Sequence, residues 1–231
     1  MRHRSMLSLF ALTACLAAAC NKEESKPLPN PKQPPAQTAP AASAAQPASE
    51  ASLVKRGEFL VGIGGCNDCH TPMKFDPALG MPVPQLERRL SGHPEGGPDP
   101  SATPGKGDQA VIGPTFTAFR LPFGVVYASN LTPDDATGLG LWKEEDFVRA
   151  MRTGKHRGAE SGRPILPPMP WSNISAHLSD DDLKAVFAYL KTVPALKNSV
   201  PEPNVPPPVY AAVAESYEKV AARTKSAPPQ P

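Results

Sequence analysis

Four stretches of the chain repeat apolar residues at helical spacing, and the ground between them does not. In SLVKRGEFLVGIGG, the apolar positions Leu53, Phe59, Leu60 and Ile63 predict a short helix that its own glycines cut off. WKEEDFVRAMRTG sets acids in its first turn, where they complement the helix dipole. It then gathers Phe147, Ala150 and Met151 on one side and stops at Gly154. LSDDDLKAVFAYLKTVP is the clearest helix. Ser179 caps it, Asp182 stands at the capping-box position, and Leu183, Val186, Phe187 and Leu190 share a face before Pro194 ends it. PPVYAAVAESYEKVAART predicts a terminal helix with a weaker face, mostly alanine and valine.

Residues 71–126 differ in character. They are dense in Gly and Pro, and no period of either kind is sustained. AVIGPTF and FGVVYASNL read as small strands, but the segment reads mainly as one long ordered loop, and loops of that length are usually functional. The pattern as a whole predicts an all-α domain interrupted by a long irregular insertion.

The N-terminus follows another logic. Arg2 and Arg4 precede an apolar run, Met6–Ala19, that is too short to span a bilayer, and small residues then lead to a cysteine. This is the pattern of an export signal over residues 1–19. LAAAC and LTAC resemble the lipobox of bacterial lipoproteins, with Cys20 the expected lipidation site and Cys15 the alternative; an ordinary cleaved signal would leave either cysteine free. A lipid on Cys20 would tether the chain without a membrane-spanning helix. Residues 20–51 read as a lipid-anchored linker rich in Pro and Ala, too poor in large apolar side chains to bury a core and stiffened by proline. A folded domain is expected over 52–222 and a disordered tail over 223–231. Loss of residues 1–19 removes Arg2 and Arg4 and no acid, so the formal charge of +2 falls to zero. A chain so balanced gives no ground for a basic partner surface, and nucleic acid is not an expected partner.

Apart from Cys15 and Cys20, the cysteines are Cys66 and Cys69, in GGCNDCHTP. Two cysteines three apart with a histidine directly after the second match the attachment sequence of c-type haem. The thiols add to the two porphyrin vinyl groups as thioethers, and the adjacent His70 imidazole is then held where it can ligate the iron from one side. Other uses of the pair are a short disulfide, a thioredoxin-like redox couple, and a zinc site. The redox couple wants a βαβ context that GIGGC does not supply, and the zinc site wants further ligands.

The opposite face of the iron decides function. A closed His/Met pair suits electron transfer, whereas an open face binds small ligands. Met73 lies too close to His70, and Met151 sits on an apolar helix side beside Phe147. Met81, His93, His156 and His177 have no distinctive frame. Met169, in RPILPPMPWSN, is flanked by Pro167, Pro168 and Pro170, which stiffen the backbone and lessen the entropy lost on pinning a thioether to iron. The plainer reading of Met169 is a gap-filling side chain in a proline-rich surface loop.

GGCNDCH, followed far downstream by PPMPW and by SDDDLKAVFAYLKTVP, resembles the class I cytochrome c family. More narrowly, GEFLVGIGGCNDCHTP, YASNLTPDDATGLGLWKEEDFVRAMRTG and ILPPMPW resemble the haem subunits of membrane-bound bacterial dehydrogenases, over roughly residues 54–205. The resemblance implies a cytochrome c fold with one covalent haem c, Cys66 and Cys69 as thioether anchors, and His70 and Met169 as axial ligands of the iron. It also implies a non-enzymatic, single-electron carrier in the periplasm or cell envelope of a bacterium. Its redox partners would be a dehydrogenase, an oxidase or another cytochrome. Two departures stand out: Met169 lies 99 positions beyond His70, and the chain has one haem motif where such subunits commonly have three.

Two other functions stay open: a haem enzyme such as a peroxidase with an open distal face, and a subunit docked permanently on its dehydrogenase or oxidase. Trp171, Phe187 and Tyr189 are candidates to wall the macrocycle, and Arg163 and Trp171 to hydrogen-bond a propionate. Asp134 and Asp135, in NLTPDDATG, read as a solvated turn rather than a calcium site.

Overall fold

The computed structural model of the chain describes residues 49–100 and 108–226. The export signal, Cys15, Cys20, most of the linker and the last residues of the tail lie outside the described residues. Helix α1 (Glu50–Ile63) starts where the Ser49 side chain accepts a bond from the Ser52 amide at 3.3 Å. Its buried stripe is Gly57, Leu60 and Val61, with Leu53 and Val54 half-buried. Phe59 and Ile63, expected on that face, are 56% and 72% exposed. The reason lies at Gly57. A Cβ there would sit 1.9 Å from the carbonyl oxygen of Ala185, so the bare backbone of residue 57 is what lets α1 lie directly on α5 (Asp180–Leu190). Rotating the helix to bury Phe59 would lose that approach.

Helix α5 forms as its pattern predicts. The Ser179 hydroxyl accepts from the Asp182 amide at 3.1 Å, and the Asp182 carboxylate accepts in return from the Ser179 amide at 3.2 Å. Asp182 also takes Arg56 of α1 in an ion pair at 2.9 Å. Leu183, Val186, Phe187 and Leu190 join Leu60, Val61, Leu90, Leu139 and Phe147 in the main core. Phe147 comes from α3 (Glu144–Thr153), which ends at Gly154, and its ring packs on Phe187 with centroids 5.5 Å apart.

The expectation of an all-α fold is overturned by two antiparallel sheets within the segment read as a loop. One pairs β1 (Met73–Asp76) with β2 (Met81–Pro84) in the register Met73↔Pro84 to Asp76↔Met81. The other has the order β3 (Val111–Ile112), β4 (Ala118–Leu121), β5 (Gly124–Tyr127). β3 and β5 fall within the two runs that read as small strands. β3 and β5 carry the β-branched pairs Val111–Ile112 and Val125–Val126, whereas β1 and β4 carry no β-branched residue, and in β2 Pro82 and Pro84 argue locally against a strand.

The chain finishes with α4 (Trp171–His177), which the sequence pattern does not announce, and α6 (Pro207–Ser226). α6 sets Val213 against Val126 of β5 and Leu166, with Val209, Tyr210 and Tyr217 around them, to make a second apolar cluster. Asn204 and Val125 exchange both backbone bonds at 2.9 Å, fastening the approach to α6 onto β5.

Gly57→Ala is expected to lower unfolding stability by about 3 kcal/mol, the upper end of overpacking costs, because its methyl meets rigid backbone. Denaturant titration checks this, and an unchanged midpoint would contradict the α1–α5 contact.

Candidate haem-attachment site

Gly65, in the left-handed region at φ 65°, turns the chain out of α1 and caps a five-residue helix, α2 (Cys66–His70). Within it, Cys69 stands three residues and His70 four residues after Cys66, so all three side chains share one helix face. The two thiols are free rather than joined in a disulfide, and both are half-buried. Burial pushes both thiols up from their ordinary pKa, and the neighbouring Asp68 carboxylate adds to this. Such thiols stay protonated at neutral pH, opposite to the electropositive setting that activates a redox cysteine.

His70 is buried, and its Nδ1–H donates to the carbonyl of Ser129 at 2.8 Å. Because a carbonyl can only accept, the proton is assigned to Nδ1 and the lone pair is left on Nε2. Burial lowers the His70 pKa, partly opposed by the Ser129 bond, and the ring is neutral as a metal ligand must be. This carbonyl-anchored imidazole is the orientation that second-shell partners impose on ligating histidines.

The segment read as a loop encloses this turn. Gly92 N–H donates to the His70 carbonyl at 2.8 Å, and Leu90 N–H to the Thr71 hydroxyl at 3.1 Å. Arg89 Nε reaches the Asn67 side chain at 3.0 Å. Gly92 has φ 76°, and a Cβ there would lie 2.4 Å from the Ala128 carbonyl oxygen. A side chain at 92 would therefore force apart the strand end that carries Ser129.

Met169 arrives from a separate segment. The stretch before it is held by Ile165 N–H on the Gly154 carbonyl at 2.7 Å and by burial of Leu166 in the second cluster. After it, Trp171 is buried. Met169 itself is half-buried between these two anchors, on a short irregular stretch, as its prolines predict.

Of the other sequence candidates, Phe187 and Tyr189 are buried in the main core, and Arg163 pairs with Glu202 at 3.4 Å. The Trp171 indole is buried edge-on against the Tyr217 ring of α6, with centroids 4.6 Å apart. Asp134 accepts from the Thr137 amide and hydroxyl at 2.7 and 2.6 Å, as the turn reading expects. Among the described residues no three His, Cys, Asp or Glu side chains gather as for a bare metal ion. The residues present fit a haem: two un-ionised thiols and a neutral imidazole with a free Nε2 on one face. Sequence reasoning missed Ser129, Gly92 and Thr71. The first two act through their backbone, which leaves no mark on residue identity.

A thiol pair and a carbonyl-anchored histidine on one helical turn are the set of groups that covalent haem attachment requires. The chain is related to the cytochrome c subunits of bacterial dehydrogenases. It is 32% identical over 165 residues to the cytochrome c subunit of the alcohol dehydrogenase (quinone) of Gluconobacter oxydans, covering 70% of this chain and 26% of that one. It is 32% identical over 138 residues to the gluconate 2-dehydrogenase cytochrome c subunit of Pantoea cypripedii, covering 60% and 22%. Against the fructose dehydrogenase cytochrome subunit of Gluconobacter japonicus, 26% identity extends over 99% of this chain and 36% of that one. The chain thus spans about a quarter to a third of the length of these curated relatives. No family model matches the chain.

Next to the site, His93 is buried, with Nδ1 2.9 Å from the Thr117 hydroxyl and its ring 5.1 Å from that of Tyr127. Burial lowers its pKa from 6.5, against the pull of Asp99 and Gly97. The unfolded chain therefore binds a proton that the folded chain refuses, and stability present above about pH 6.5 is lost as the pH falls. The thermal midpoint is expected to drop between pH 7 and pH 5, and His93→Gln to flatten that slope. His156, also lowered by burial, keeps it from vanishing.

Proposed function

We propose that this chain is a c-type cytochrome with one covalently attached haem, ligated by His70 and Met169, that passes single electrons between protein redox partners in the cell envelope. The observation that carries the reading is the neutral, buried His70, pinned through Nδ1 to Ser129 with Nε2 free, on the same turn as two un-ionised thiols. When bound, the haem supplies the one-electron iron couple. The chain's own residues do the rest. Cys66 and Cys69 anchor the macrocycle, so it cannot dissociate. Ser129 orients the His70 ring and strengthens its donor character. The segment around Leu166 and Trp171 presents the Met169 thioether with little freedom left to lose. The single attachment motif in the sequence supports one haem.

A dehydrogenase is the favoured partner, on the strength of the relatives' names. An open-faced haem enzyme such as a peroxidase is disfavoured, because the same comparisons carry cytochrome-subunit names. Cys20, or alternatively Cys15, is the proposed lipid anchor, supported by the apolar run and small residues before it. No helix among the described residues is long and apolar enough to cross a membrane.

Protein made in a host that matures c-type cytochromes should, after denaturation and solvent extraction, weigh one haem more than the processed chain, and Cys66→Ala with Cys69→Ala should lose that increment. Met169→Ala should abolish the thioether-to-iron charge-transfer band of the ferric protein and let the ferrous protein bind CO. A wild type that lacks the band and binds CO rapidly would instead show an open distal face. Cys20→Ser should move the protein from the detergent phase to the aqueous phase.

A further inference from the structure

We propose that Asn198, on the stretch after α5, is the positioning residue for the haem-ligating histidine, acting through the turn Leu90–His93. The inference rests on the reading of His70 as an iron ligand.

That turn is the part of the fold that holds both ends of the His70–Ser129 bond. Gly92 N–H donates to the carbonyl of His70 at 2.8 Å, fixing the backbone that carries the imidazole. One residue on, His93 N–H donates to the carbonyl of Ala128 at 2.9 Å, fixing the peptide next to the Ser129 carbonyl that receives Nδ1–H. Two consecutive amides thus set the distance across which the ring is held.

The turn does not hold itself. Leu90 is fully buried at φ 61°, a left-handed conformation that a non-glycine residue keeps only where its surroundings impose it, and Gly92 follows at φ 76°. Its carbonyls at Ser91 and His93 both point at one side chain. Asn198 Nδ2 donates to the first at 2.7 Å and to the second at 2.8 Å. Its Oδ1 accepts from Arg88 Nη2 at 3.0 Å and from the Glu95 amide at 2.8 Å, so one amide group brackets the turn on both sides. Asn198 is 1% exposed, and all four of its side-chain bonds are made. Its own N–H rests on the Thr137 hydroxyl at 2.9 Å, which ties it to the Asp134 turn. An asparagine alone among side chains of this size offers two donors and an acceptor in one plane. Aspartate keeps the acceptor for Arg88 and Glu95 but sets an oxygen against the Ser91 and His93 carbonyls.

The test compares Asn198→Asp and Asn198→Ala with wild type and with Ser179→Ala, which lowers stability by removing the exposed α5 cap, away from the turn. Haem content is first read by mass. Hydrogen exchange is then followed at the Gly92 and His93 amides, and the midpoint potential is measured. In wild type both amides should be protected. Both Asn198 variants should exchange there at least 100-fold faster. A looser Nδ1–H bond makes His70 a poorer donor to ferric iron, so the neutral Asn198→Ala should raise the potential by at least a threefold change in the ferric-to-ferrous ratio, ~28 mV at ~59 mV per tenfold.

Three results would overturn the assignment: wild-type amides that exchange like exposed loop amides, Asn198 variants with wild-type exchange and potential, or a Ser179→Ala variant that moves the potential as far. A chain that carries no haem overturns the ligand reading instead, and the exchange data then still judge the turn.

Discussion

The bond from His70 Nδ1 to the Ser129 carbonyl is the contact on which the arrangement of the site depends. A buried imidazole with an unpaired N–H would pay the full desolvation cost of that group. With the carbonyl in place, the ring has one orientation and one tautomer, and its second nitrogen is free to ligate. The two partners lie 59 residues apart in the sequence, so much of the chain between them serves to bring one to the other.

Residues 71–126 can be understood in that light. The segment folds into a hairpin and a small three-stranded sheet, and between them runs the turn Leu90–His93 that touches both His70 and Ala128. Among its described residues the irregularity is local and the hydrogen bonding dense. Thr71, Pro72, Leu90, Ser91 and His93 are among the most deeply buried residues of the protein. A flexible loop could not fix a carbonyl within hydrogen-bond distance of a buried ring, whereas a stretch tied at both ends does so at no further entropic cost when a ligand arrives.

The two candidate iron ligands are supported by different cores. The turn bearing His70 is packed through Cys66 against the cluster of α1, α3 and α5, with Gly57 allowing the closest approach of α1 to α5. The stretch bearing Met169 follows Leu166, which belongs to the cluster of β5 and α6. Each candidate ligand thus stands beside a packed cluster of its own, one through Cys66 and the other through Leu166.

What the sequence determined by itself was whatever is written in residue identity at short range. The spacing of Cys66, Cys69 and His70 points to haem attachment without reference to a fold, and the caps and apolar periods of α3 and α5 stand in the residues that form them. Tertiary structure alone decided which face of α1 is buried, because a close backbone approach at Gly57 outweighs the larger apolar surface of Phe59. It alone formed β1, β2 and β4, whose pairing partners supply an order that their own residues do not announce. It alone chose Ser129, Gly92 and Asn198 to hold the histidine, since the first two act through backbone groups that every residue shares, and the third becomes distinctive only where four partners converge on it.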